Sequence, residues 1–167
     1  MNPEGGKLMI LAQLALFCLL FTAMVKLAVG RDALNGLFFY PRAYQERAFA
    51  LGLTRREDVA RRRGRFMPAF FLVMLAALLL IIGLWNGVRT FGPAYGQALL
   101  FLEVMNAFDG VVIDRLWVGH SRFWVIPAMR GVPFVQSWAQ VLKKRAVLAL
   151  VWIAGAAIVA GLVVLIF

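Results

Sequence analysis

Long apolar runs, rather than alternating positions, organise this chain. Residues 8–29, 67–86, 94–118 and 146–167 each approach the roughly 20 largely apolar residues that a helix needs to cross a ~30 Å hydrocarbon core. An outer-membrane barrel would show alternating segments of about 10 residues, and these are absent. The pattern predicts an all-α, integral membrane four-helix bundle, one membrane domain over residues 1–167. Two polar, basic segments, 30–66 and 119–145, connect the spans and are expected to carry short interfacial helices.

Composition agrees. Hydrophobic residues make up 63% of the chain, against about 45–50% in soluble domains. A cleavable leader is one reading of the first run, because Lys7 precedes it and small residues follow in "AVGRD". The run from Leu8 to Val25 is longer than a leader's apolar core, so it is read as a span.

Charge sets the expected orientation. Nine of the 18 Lys and Arg lie in the first connecting segment and five in the second, Lys26 and Arg115 sit near span ends on the same side, and only Lys7 and Arg89 remain on the other. The positive-inside rule then makes both basic segments cytoplasmic and both termini extracytoplasmic, in a bacterial-type inner membrane. Clustered arginine is also the footprint of phosphate binding, but juxtamembrane Arg61, Arg62, Arg63, Arg65, Lys143, Lys144 and Arg145 are read as contacts to anionic lipid headgroups. No nucleic acid is expected as a partner; the bilayer is, with a homo-oligomer or larger membrane complex open. The single Cys18 lies within the first span and is read as a packing residue.

The connections carry local signals. In "YPRAYQERAFALG" Pro41 can open a helix and Gly52 close it, and Thr54 with Glu57 has capping-box spacing for a second short helix. Gly87, Gly92, Pro93 and Gly96 suit a turn between spans two and three. Phe123, Trp124, Phe134 and Trp138 match aromatic residues of a membrane interface, while Pro127 and Pro133 interrupt any long helix there. In the last span, Gly155 and Gly161 among alanines permit close helix approach.

The third span carries the candidate chemistry. At about 100° per residue, Glu103, Asn106, Asp109, Asp114 and His120 fall within an arc of about 140°. With the span starting at Ala94, Glu103 lies about 14 Å deep, near the centre of the core. An ionised side chain there costs about 2.5–3.5 kcal/mol on an insertion scale, so the stripe must face the bundle interior. Lys26, near the end of the first span, is the expected ion-pair partner of Asp109.

Three functions fit these residues. The leading expectation is binding or passage of a proton, cation or small solute along the stripe. The second is a structural or accessory subunit of a membrane complex, with the stripe joining helices. The third is a lipid-active enzyme using Asp109, Asp114, Arg115, His120, Ser121 and Arg122. "FDGVVID" resembles the paired aspartates of membrane alcohol phosphotransferases, a resemblance that implies further aspartates downstream. None exists, since the chain has no Asp or Glu after Asp114. One His and no HExxH spacing predict no metal and no cofactor.

Overall fold

The computed structural model describes residues 3–167, and among them every regular element is helical. Four helices are long and apolar enough to cross a membrane: Gly5–Val29, Arg56–Trp85, Phe91–His120 and Trp138–Ile166. They are called here the first to fourth spans. The all-helical, four-span expectation therefore stands, and the chain is a multi-pass membrane protein.

Two span boundaries differ from the apolar pattern. The second span starts at Arg56, so the short helix expected after Thr54 is the first part of the span itself. Its N-cap is Arg55 with no side-chain bond, and the Thr54–Glu57 capping box does not form. Glu57 and Asp58 instead occupy the first turn, where unpaired backbone N–H groups favour carboxylates. The fourth span starts at Trp138 rather than at residue 146. There Ser137 accepts from the Gln140 backbone N–H while Gln140 accepts from the Ser137 N–H, a complete capping box. Lys143, Lys144 and Arg145 are consequently helical, and Arg145 sits about 10 Å along the axis from the helix start.

Between the spans the local signals hold better. Pro41 caps a helix over Arg42–Ala50, and Gly52 turns the chain with φ 67°. Gly87, with φ 64°, makes the turn that leads into Phe91, so Gly92, Pro93 and Gly96 belong to the third span and not to the turn. Pro93 lies in the first helical turn, where its missing N–H costs no hydrogen bond.

The third and fourth spans form the most intimate pair. Ala94, Ala98, Leu102 and Met105 on one and Ala156, Val159, Ala160 and Val163 on the other are buried at helical spacing. Small residues let the backbones approach closely, which is how helices associate where lipid offers no hydrophobic drive. A Cβ on Gly155 would sit 3.8 Å from Leu102, whereas Gly161 has open space around it, so only the first of the two glycines serves this contact. The first span closes the bundle through Phe17, whose ring meets Phe101 edge-on at 5.6 Å.

The two connecting segments fold together over one end of the bundle. Tyr40 donates its hydroxyl to the Trp124 carbonyl at 2.5 Å, Tyr40 stacks on Tyr44 at 5.0 Å, and Phe134 packs on both rings. Tyr44 and Ala48, on the short helix expected at the interface, are buried, and so is Trp124, which the sequence suggested for the membrane interface. At the other end Gln13 donates to Asn86 at 2.7 Å, and Asn86 donates to Gln97 at 2.9 Å. This amide chain satisfies the polar side chain of the first span without drawing on the third-span carboxylates.

Candidate functional site

The acidic stripe meets a base from the fourth span. Arg145 Nη1 donates to Asp109 Oδ2 at 2.5 Å and Arg145 Nη2 donates to Asp114 Oδ2 at 2.5 Å. Lys144 Nζ lies 3.2 Å from the same Asp114 oxygen. The three side chains of the double pair are well covered, with Arg145 11%, Asp109 21% and Asp114 16% exposed. Two cations face two anions, so the cluster is neutral as a unit. Arginine suits this place because its planar fork can serve two carboxylates at once.

A change of helix type brings the two aspartates to one side. Five residues apart on an α-helix, they would diverge by about 140°. Asp109–Trp117 is instead a π segment, whose hydrogen bonds run from residue i to i+5, so residues five apart stack. Gly110 then admits the arginine stem: a Cβ there would stand 3.0 Å from Arg145 Cγ and 3.1 Å from Cδ and Nε. Asn106, 4% exposed, completes the join by donating to the Arg145 backbone carbonyl at 3.1 Å and to Glu103 Oε2 at 3.3 Å.

The expected residues are thus only partly assembled. Asn106, Asp109 and Asp114 come together, and Glu103 touches the group through Asn106. His120 does not join; it is exposed, with Nδ1 3.0 Å from its own helix's Leu116 carbonyl. Lys26 is also exposed, because Val25 and Val29 supply the buried face of the first span, and Asp109 pairs with Arg145 in its place. Arg145, read from sequence as a headgroup contact, is the hub. Lys143, Arg61, Arg62, Arg63 and Arg65 are exposed, and Arg62 donates to Asn35 Oδ1 at 2.7 Å. The signal for Arg145 was present in the Ser137–Gln140 capping-box spacing, which moves the helix start upstream.

A cavity of about 220 Å³ adjoins the cluster. Asn106, Asp109, Asp114, Gln136, Lys144 and Arg145 supply its polar wall, and the rest combines rings, among them Phe21, Phe39, Phe70 and Trp152, with aliphatic side chains such as Val25, Ile113 and Leu148. Phe71 both lines the cavity and is 53% exposed on the second span. Among the described residues no group of three or more His, Cys, Asp or Glu is placed to hold a metal ion. No known protein family, curated protein or solved structure matches the chain.

Proposed function

We propose that this protein binds a small, largely apolar solute within the membrane, against the polar face of its third span. One observation carries the reading: a cavity of about 220 Å³ lined by aromatic side chains lies directly against a buried ion cluster. Ligand sites combine these two features, an apolar body and a few fixed polar groups. For scale, an apolar cavity of about 150 Å³ takes up benzene. Exposed Phe71 in the lining favours entry from the bilayer. The excess of Arg and Lys in the two connecting segments favours a cytoplasmic position for this end of the bundle, with both termini outside, in an inner membrane of bacterial type.

Binding is favoured over conduction of a proton or cation. Arg145 and Lys144 already pair with Asp109 and Asp114, so the stripe offers a moving cation no uncompensated carboxylate there. The same ion pairs tie the third span to the fourth, so a structural role for the cluster is compatible with a binding role for the cavity beside it.

The test is thermal unfolding of the protein in lipid nanodiscs against a panel of apolar and amphipathic solutes. A solute at about 100 times its dissociation constant stabilises by roughly 2.7 kcal/mol. Leu148→Trp, which fills the cavity from the fourth span, should abolish that gain. Equal stabilisation of both proteins, or of neither by any solute, counts against the site.

A further inference from the structure

The cavity reaches the membrane side of the bundle as a slit between the second and fourth spans. Phe66, Phe70 and Phe71 line it from one helix, and Lys144, Leu148 and Trp152 from the other. Phe66 directly follows the basic run that ends in Arg65, and Leu148 comes one turn after the run that ends in Arg145. The slit therefore starts at the basic level and runs into the apolar layer, about 12 Å along the axis from Lys144 to Trp152. Farther along, the two helices meet, and the Phe167 ring occupies the place where a Cβ on Gly83 would stand. Taking benzene's six carbons for an apolar cavity of about 150 Å³, the 220 Å³ here holds roughly nine carbons. An alkyl chain entering past exposed Phe71 fits that length and volume.

The polar wall selects the head of such a chain. Asn106 is 4% exposed and spends its amide on Glu103 and Arg145, and Asp109 and Asp114 are both bound to Arg145. Two lining side chains keep both surface and donors. Lys144, 43% exposed, gives Asp114 one of its three N–H groups. Gln136 is half-buried; its backbone carbonyl accepts from Arg115, while its side-chain amide bonds to no described residue. The fixed charge around these two is positive. Arg115, Lys144 and Arg145 stand against Asp109 and Asp114, and Arg115 pairs with no carboxylate among the described residues, its guanidinium lying 4.6 Å from the Trp138 ring. Glu103 lies about 15 Å deeper than Asp114, and Arg63, Arg65 and Lys143 add exposed cations at the basic level. An oxyanion is attracted to this end of the slit and an ammonium is repelled.

We propose that the occupant is a single acyl chain with an oxyanion head, the chain filling the slit and the head accepting from Lys144 Nζ and the Gln136 amide. This rests on the binding role proposed above and specifies it. A free fatty acid, through its carboxylate, and a phospholipid with one chain in the slit, through its phosphate, share this chemistry.

The experiment follows thermal unfolding in phosphatidylcholine nanodiscs with dodecanoate, dodecanol or dodecyltrimethylammonium added, and in discs doped with phosphatidylglycerol to the same added charge. Wild type is compared with Lys144→Gln, with Gln136→Leu, which leaves the ion cluster whole, and with Leu148→Trp, which fills the slit. Dodecanoate should stabilise wild type most and the ammonium least. Each head variant should weaken dodecanoate about two- to tenfold and leave dodecanol unchanged, and Leu148→Trp should lose both. A gain from phosphatidylglycerol that Leu148→Trp removes assigns the phospholipid; a gain from dodecanoate alone assigns the free fatty acid. Dodecanol matching dodecanoate overturns the head assignment while leaving a binding cavity. A dodecanoate or phosphatidylglycerol gain that survives Leu148→Trp is surface charge alone and overturns the proposal. Stabilisation by none of the chains overturns it as well, and the wider solute panel then decides the binding role by itself.

Discussion

Replacing Arg145 by Met should be among the most damaging single changes in the chain. It leaves Asp109 with no cation and Asp114 with Lys144 alone. Removing one partner of a buried ion pair costs about 3–5 kcal/mol, because the remaining charge stays desolvated. The carboxylates here are 21% and 16% exposed and Lys144 persists, so the lower end, about 3 kcal/mol, is expected. The diagnostic feature is recovery. Adding Asp109→Asn and Asp114→Asn to Arg145→Met removes every unpaired charge on that side and should restore most of the loss, while each Asn change alone destabilises. Reversible unfolding in mixed micelles, analysed as a mutant cycle, measures the coupling. Losses that simply add, within about 0.5 kcal/mol, would refute the ion cluster as a cohesive unit. Lys26→Met is the control: exposed and unpaired with Asp109, it should change stability by no more than about 0.5 kcal/mol.

Two further outcomes follow from local geometry and ionisation. Gly110→Ala places a methyl 3.0 Å from Arg145 Cγ and should cost about 1–3 kcal/mol by the same unfolding assay, whereas Gly64→Ala, with nothing within 4 Å, should be neutral or stabilising by up to about 1 kcal/mol; equal effects at the two sites would show that the arginine stem moves freely. Burial, with the neighbouring Tyr44 and Asp32 adding to it, raises the Tyr40 phenol above its ordinary value of 10.0. The neutral phenol's contribution is therefore whole below that pH and is lost as pH rises through the folded value, so stability should fall more steeply in alkali for wild type than for Tyr40→Phe. Parallel pH profiles would remove Tyr40 from the alkaline transition.

Span number and helix type were legible because apolar length is a strong signal, and the third-span stripe was legible because Glu103, Asn106, Asp109 and Asp114 are conspicuous in an apolar run. Partner choice was not legible. Hydropathy placed Lys143, Lys144 and Arg145 before the fourth span, since three adjacent cations depress any sliding average, yet Ser137 caps a helix that already includes them. Lys26 looked a suitable partner by depth alone, but depth carries no azimuth, and Val25 and Val29 take the inward positions of the first span. The roof of Tyr40, Tyr44 and Trp124 likewise joins segments far apart in sequence, and aromatic residues at a membrane interface read the same whether they face lipid or one another.

The π segment is the deepest of these hidden features, and it makes a specific claim about the chain. Nothing in the composition of "DGVVIDRLW" distinguishes it from α-helix, yet only an i to i+5 repeat stacks Asp109 over Asp114. An α-helix stacks residues four apart almost as well. Deleting Val111, which is 47% exposed, would turn the five-residue spacing into four and let the segment revert to α-helix with both aspartates still facing Arg145. The shortened protein should fold and retain the Arg145 coupling. Deleting Val104, in the regular α-helical part, rotates everything after it by about 100° and should prevent the cluster from forming. If the two deletions are equally disruptive, the π turn is not an accommodated extra residue. If only the second is, the turn exists to hold a carboxylate pair on an arginine while opening the helix wall beside the cavity.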